Sequence, residues 1–283
     1  MFTLKIENTN GDIFELTHNS PNYYITHIDG LTPPPTVVNT ATAGTIDGTF
    51  FNSARLEQRN IVITLYINGN IEANRQQLYK IFPRKTACTV YFKNQNRDVK
   101  IVGYVETLDG DLFVQREQIQ ISIICPRPYW EALSQLYNEL SKIIARFEFP
   151  FSIVEPIPFS EINDVPIAVI NNSGDVACGT LIDIEFTGAA ETLKIIDTTE
   201  QTFFEIAYTF QAADKVRINT NSGQMGVTLE RSGATTNLLN YVSKNSTWFR
   251  LKPGQNTFTF TLTTGSTDDV NINFTTSLLF GGV

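Results

Sequence analysis

The residues best suited to chemistry are few. His18 and His27 are the only two histidines among 283 residues, and each has a carboxylate nearby: Glu15 three residues before His18, Asp29 two after His27. Imidazole titrates near neutrality and binds metal through either ring nitrogen, so such spacings suit an acid–base pair or the start of a metal site. Pairs of this kind are commonest as surface polar groups, and these read the same way. Asp109-Gly110-Asp111 offers two carboxylates, but a Ca²⁺ loop needs more oxygen ligands at set spacing. Asp-Gly instead favours a tight turn, here between a strand ending at Val105 and one beginning at Leu112. Asp268-Asp269 reads as a second turn. Asp183 and Glu185 alternate along a strand, and paired carboxylates about 5–9.5 Å apart could cleave a glycoside across a cleft. Acids in period 2 more simply mark a strand's wet face. Trp248 and Tyr241 could stack on sugar rings, whereas Phe249 and its alternating neighbours suit a core.

Nucleophile and cofactor motifs are missing. The chain has no G-x-x-x-x-G-K-[ST], G-x-G-x-x-G, G-x-S-x-G or H-E-x-x-H. Cys88, Cys125 and Cys178 are odd in number and far apart, which suggests buried free thiols rather than disulfides or a zinc knuckle. The sequons at Asn171, Asn245 and Asn273 carry little weight in an Asn-rich chain. The expectation is therefore no catalytic residue, no metal and no cofactor.

The elements that would position any site are mostly strands. Ile61, Ile63, Leu65 and Ile67 alternate with Val62, Thr64 and Tyr66. Val99, Ile101 and Val105 share a face with Gly103, and Ile119, Ile121 and Ile123 alternate with polar residues. This is the period of strands with one buried face. Phe2–Ile6, Tyr23–Ile28 and Cys88–Phe92 are shorter β-rich runs. Two stretches follow helical spacing instead. Asn70 is a good N-cap for a helix over Ile71–Phe82 that stops at Pro83. Pro128 would open a second, amphipathic helix over 128–147, with Trp130, Leu133, Tyr137, Leu140, Ile144 and Phe147 on one side. Pro150, Pro156, Pro158 and Pro166 then read as an extended linker.

From Ile167 onward only short strands return: Leu181–Phe186, Leu193–Ile196, Phe203–Tyr208, Val216–Ile218, Val227–Leu229, Trp248–Leu251, Phe258–Leu262 and Val270–Phe274. Turn residues separate them, the pattern of an antiparallel sandwich. Residues 30–53, rich in Gly, Thr, Pro and Asn, form a long loop or a projecting hairpin that could order against a neighbouring subunit. The expected organisation is a mainly β chain. An N-terminal barrel- or sandwich-like domain with one packed helix spans 1–130, a helical and Pro-rich linker spans 131–166, and an antiparallel sandwich spans 167–283.

Charge narrows the partners. Residues 1–130 carry 12 basic and 12 acidic side chains, so the whole excess of −8 lies in 131–283. Neither half has the basic excess that nucleic-acid binding needs. No stretch approaches the roughly 20 apolar residues of a membrane-spanning helix, and the N-terminus lacks the pattern of a secretory leader.

The order of these elements carries a resemblance. Arg59-Asn60-Ile61-Val62-Ile63-Thr64-Leu65-Tyr66-Ile67 leads into the capped helix that stops at Pro83. Strands at Thr89–Phe92, Val99–Val105 and Gln118–Ile124 follow, and then Cys125-Pro126-Arg127-Pro128-Tyr129-Trp130. The second half contains Phe186-Thr187-Gly188 and Leu251-Lys252-Pro253-Gly254-Gln255-Asn256. Together these resemble the distal tail protein (Dit) family of long-tailed, siphovirus-type bacteriophages, over nearly the whole chain. The resemblance implies a galectin-like C-terminal sandwich and a virion protein at the distal end of the tail. It further implies a homo-hexameric ring in the baseplate, or tail tip, that joins the tail tube to the host-adsorption apparatus. Implied partners are the tail tube protein, the tail-associated hub protein and, in some relatives, a receptor-binding protein. The family brings no catalytic site. The helix over 128–147 has no match in that pattern.

Unpaired sheet edges invite pairing with another chain, and a ring can close by continuing sheets between copies. The expected interface residues are Phe2, Leu4 and Ile6 of the first strand and Arg59, Ile61, Ile63 and Leu65 of the later one. The alternative function is a carbohydrate-binding protein that meets cell-wall saccharide through Trp248 and Tyr241.

Overall fold

The computed structural model describes residues 2–145 and 160–283 apart from 18, 19, 43, 45, 46, 112, 113 and 115. His18, Leu112, Phe147 and the prolines at 150, 156 and 158 lie outside the described residues. The chain divides into two compact units: Met1–Ser134 with Leu279–Val283, and Gln135–Leu278.

Unit 1 holds β1 (Thr3–Asn8), β2 (Ile13–Thr17), β3 (Tyr23–Asp29), β4 (Thr36–Ala41), β5 (Phe50–Leu56), β6 (Arg59–Ile67), α1 (Ile71–Ile81), β7 (Ala87–Lys93), β8 (Asp98–Gly110), β9 (Gln118–Cys125) and the start of β10 (Trp130–Ala145). Antiparallel pairing runs in the order β2, β1, β7, β8, β9, β6, β3. The long strand β8 curls the sheet: its first half pairs with β7, its second half with β9, and a bulge separates Val105 from Thr107. Gly103 sits at this bend because a Cβ there would lie 2.6 Å from Ile123 Cγ2 and 2.8 Å from Cys125 Sγ. The alternating residues Leu4, Ile6, Ile61, Ile63, Leu65, Val90, Ile121 and Ile123 turn inward and form one core.

Helix α1 forms where its cap and period place it. Asn70 Oδ1 accepts from Ala73 N at 3.2 Å. Leu78, Ile81 and Phe82 are buried, and Phe14 packs edge-on against Phe82 at 5.3 Å. The polar side is pinned as well, since Arg75 donates to both oxygens of buried Glu117 at 2.8 Å.

Unit 2 is a two-sheet antiparallel sandwich, as expected. One sheet runs β11 (Ser160–Asn172), β18 (Gly254–Thr264), β13 (Ala190–Asp197), β14 (Thr202–Phe210). The other runs β19 (Val270–Phe280), β12 (Leu181–Phe186), β15 (Lys215–Asn219), β16 (Gly226–Arg231), β17 (Ala234–Asn237). Inward rings link the sheets: Phe186 stacks on Phe210 at 4.2 Å, and Phe258 lies 5.1 Å from Phe274.

Three expectations are corrected. The helix expected within 128–147 is the strand β10. Trp130 and Ala132 are buried as β10 pairs with β8, Glu131 opposite Lys100 and Ala132 opposite Val99, while Leu133 and Tyr137 are 46 % and 75 % exposed. Apolar spacing at 130, 133, 137 and 140 fits a helix, but pairing with β8 and burial of the indole override it. Pro166, expected in a linker, lies within β11, where its carbonyl accepts from Thr259 Oγ1 at 2.9 Å. Finally, Trp248–Leu251 is not a regular strand: only Leu251 bridges, exchanging backbone hydrogen bonds with Cys178 at 2.8 and 3.1 Å.

Candidate assembly surface

The expected interface strands are spent on the fold. β1 lies between β2 and β7, and β6 between β3 and β9. Leu4, Ile6, Ile61, Ile63 and Leu65 are fully buried, and Phe2 stacks on Phe92 at 5.9 Å. Alternation selects the face turned to the core, but it does not say which edges remain open. Among the described residues, β2 is registered only against β1, and β3 only against β6. Those two strands are the open margins of unit 1.

The described part of the stretch 30–53 carries the paired strands β4 and β5, a hairpin rather than a plain loop. Thr36 pairs with Leu56 and Val38 with Ala54, a bulge follows Asn39, and Asn39 Nδ2 donates to Ser53 Oγ at 3.0 Å. Its two strands form a separate ribbon. Both faces are wet: Val38, Phe50 and Phe51 are 54 %, 55 % and 67 % exposed. Phe50 and Phe51, adjacent on β5, point to opposite faces, so both faces of the isolated ribbon carry exposed apolar surface of the kind that marks docking.

Arg59 gathers the root of this hairpin. It opens β6 but is buried. Its Nη1 donates to Gly30 O and, at 2.6 Å, to Thr32 O. Its Nη2 donates to Gly281 O at 2.6 Å, and its Nε to Pro128 O at 2.9 Å. The guanidinium lies 5.5 Å from the Trp130 ring. Burial pushes Arg59 below the usual arginine pKa, with Cys125 nearby acting the other way. Gly30 holds φ at +82°, and any side chain there would run into the Asn60 carbonyl. A cleft of about 520 Å³ opens beside this root, lined by Pro33, Pro34, Glu57, Gln58, Asn60 and Glu106. Ser122 Oγ lies 2.9 Å from Asn60 Oδ1 and 2.8 Å from Glu106 Oε2.

Of the described residues singled out for chemistry, His27 and Asp29 meet, but no larger cluster of metal-ligating side chains forms among the described residues. His27 Nε2 meets Asp29 Oδ1 at 3.0 Å on exposed β3. Asp109 and Gly110 still pair with β9, and Asp111 N donates to Gln118 O at 3.1 Å, so the turn lies beyond them. Asp183 accepts from Arg217 at 2.6 Å, and Glu185 faces Lys215 at 3.0 Å. These acids form a cross-strand charge ladder rather than a paired acid and base. Cys88, Cys125 and Cys178 are free and buried, and desolvation pushes their thiols up to about 11, 12 and 11. Trp248 packs on Phe204 at 4.9 Å, and Tyr241 on Tyr208 at 4.8 Å. Their anchors are four residues apart on β14, or ~13 Å. They are not one stacking platform.

Two protein-family models match. One, described as a phage tail protein RIFT-related domain, matches residues 5–125. The other, the C-terminal domain of the siphovirus-type tail component, matches residues 173–277. The chain belongs to the distal tail protein (Dit) family of siphoviruses. Its fold is shared with the crystal structure of the Dit protein of phage SPP1, at a TM-score of 0.70 and 14 % identity, over 98 % of this chain and 99 % of that one. That protein is described as a paradigm of the hub adsorption apparatus in phages infecting Gram-positive bacteria. The baseplate of phage P2, in its activated conformation with Ca, is similar at a TM-score of 0.47 and 14 % identity over 98 % of each chain. No curated protein matches. The distal tail protein family thus accounts for both units, which the sequence had tied together only through the order of their motifs.

Proposed function

We propose that this protein is a structural component of the phage tail tip, a baseplate hub piece at the distal end of the tail in the virion. It works by assembly with copies of itself and with other tail proteins. The observation that carries this reading is the match of both units to tail-protein families. The surface supports it. Val38, Phe50 and Phe51 stand in water on the β4–β5 ribbon, and Ile13 of the margin β2 and Tyr24 of the margin β3 are exposed as well. We assign that ribbon and those margins to contacts with a neighbouring copy, closing a homo-hexameric ring. The tail tube protein would lie on one side of the ring and the tail-associated hub protein on the other, with a receptor-binding protein as a further partner. A ring protein of this kind performs no bond-making.

Negative-stain microscopy and sedimentation of the purified chain test the reading. Annular particles are expected, and Phe50→Ser with Phe51→Ser should abolish them while both units stay folded. A chain that remains single at high concentration and also fails to join a tail complex would refute it.

A further inference from the structure

The strongest unexplained feature lies at the hairpin root, where the last residues of β19 return to unit 1. Arg97 Nη1 donates to Gly282 O at 2.5 Å, and its guanidinium lies 4.3 Å from the Phe280 ring. Val283 N donates to Leu31 O at 3.1 Å. A Cβ on Gly282 would stand 3.0 Å from Pro33 Cδ and 3.2 Å from Leu31 O, so glycine is what lets the two segments close. Arg59 bridges both, with Gly30 and Thr32 on one side of its fork and Gly281 on the other. The residues between the fork and the ribbon are Pro33, Pro34 and Pro35, which have stiff φ angles and no backbone N–H. A stiff tripeptide transmits the orientation of its base.

We propose that segment 279–283 is a strap that locks the hairpin root, with Arg59 and Arg97 as its positioning residues, and so sets the pose in which β4–β5 meets a neighbouring copy. This rests on the assembly reading above. The chemistry supports a lock rather than ordinary packing. The Arg59 guanidinium is held by four backbone carbonyls and that of Arg97 reaches the Gly282 carbonyl, and such bonds fix position through charge-assisted geometry.

The test uses the full chain. Arg97→Met loosens the strap without touching the root, and Gly282→Ile forces strap and root apart. Nitroxides on Thr40→Cys in the ribbon and Tyr79→Cys on exposed α1 report the pose by pulsed electron resonance, diluted with unlabelled chain so that only intramolecular distances are read. The three native thiols are buried and do not compete for label. A narrow distance distribution is expected in the parent and a broad, shifted one in both variants, with Trp130 fluorescence unchanged. Self-association should weaken roughly tenfold, the effect of losing about one charge-assisted hydrogen bond. A distribution as narrow as the parent's in both variants would overturn the proposal. So would a broadened pose with undiminished assembly, provided the Phe50→Ser, Phe51→Ser chain fails to assemble. If that double variant assembles like the parent, the ribbon interface itself fails, and the distance distributions still decide on the strap.

Discussion

Replacing Arg59 by Met isolates the contribution of its guanidinium fork, because the stem keeps its length and packing while five N–H donors disappear. Four carbonyls lose their partner: Gly30, Thr32, Pro128 and Gly281. They do not all lose equally. Gly30 and Thr32 line the open cleft and can take water, whereas Pro128 and Gly281 lie outside it and are half-buried. A sealed carbonyl left without a donor costs ~1–3 kcal/mol, and a hydrogen bond from a charged group is worth a net ~1.5–3. Two half-buried and two rehydrated groups therefore sum to about 5 kcal/mol, from which relief of a buried charge subtracts about 1, leaving ~4. At ~4 °C per kcal/mol for a unit of this size, the midpoint of unit 1 should fall by ~15 °C. Arg59→Lys should fall between, since one ammonium cannot reach four carbonyls in three separate segments. The chain has two tryptophans, Trp130 in unit 1 and Trp248 in unit 2, so a Trp248→Phe background lets indole fluorescence follow unit 1 alone during urea unfolding. An Arg59→Met midpoint within about 3 °C of the parent, or above it, would show that the fork holds nothing together beyond its own desolvation cost.

Other outcomes follow from the same geometry. Asp214 is buried, which alone would raise its pKa, but hydrogen bonds from Arg231 and from Gln211 N, with the Arg231 charge, hold it below the usual aspartate value. A depressed folded pKa contributes stability present above the unfolded value of about 4 and lost as pH falls through the folded one, so Asp214→Asn should cost unit 2 about 2 kcal/mol at pH 7 and flatten its acid limb in urea melts. An unchanged acid limb would count against it. Ellman's reagent at pH 8 should find none of the three thiols in the native chain and all three in denaturant, since their pKa values stand at about 11, 12 and 11; a fast-reacting native thiol would show that one is open to water. Trp248→Ala should lower unit 2 stability by about 2 kcal/mol through its contact with Phe204, and on a glycan array it should leave no specific binding deficit. Saturable saccharide binding that disappears in this variant without loss of stability would instead promote the carbohydrate-binding alternative.

Local rules carried the sequence a long way. Asn70 and Pro83 bracket α1 because a cap and a breaker act within a few residues, and the period-2 runs at Ile61–Ile67 and Ile119–Ile123 are strands because alternation is itself local. The apolar residues of β10 follow the helical period, and what overrides it is pairing with Val99, some thirty residues earlier in the chain. The expected interface residues turn on a related point. Ile61 and Ile63 were read correctly as one apolar face, but whether that face meets the core or a neighbour depends on how many partners the strand has. Arg59 had no local signature at all. A charged residue at the head of a strand reads as a solvated edge, whereas its acceptors come from residues 30, 32, 128 and 281.

The β4–β5 ribbon is the part whose own energetics demand a partner. A single two-stranded hairpin is marginal in water, because backbone ordering costs ~1–2 kcal/mol per residue and one cross-strand pair returns at most ~1. The ordinary remedy is to lay one face on a core, yet Phe50, Phe51 and Val38 stay in water and no third strand pairs with β4 or β5 among the described residues. Only the root is anchored, through Arg59 and the return of residues 281–283, and anchoring a base lowers the entropy of the arm without repaying the exposure of its rings. Burial of those three side chains against a neighbouring copy would contribute ~1.5–3 kcal/mol each. That burial offsets a large part of the deficit of an isolated ribbon, so ordering of the arm and closure of the ring should be one cooperative event: amide exchange in 36–41 and 50–56 should be fast in the dilute single chain and slow in the assembled particle, with the core strands β1 and β6 protected in both. Equal protection of the arm in the two states would mean that the ribbon is self-sufficient and that its exposed phenylalanines do some other job.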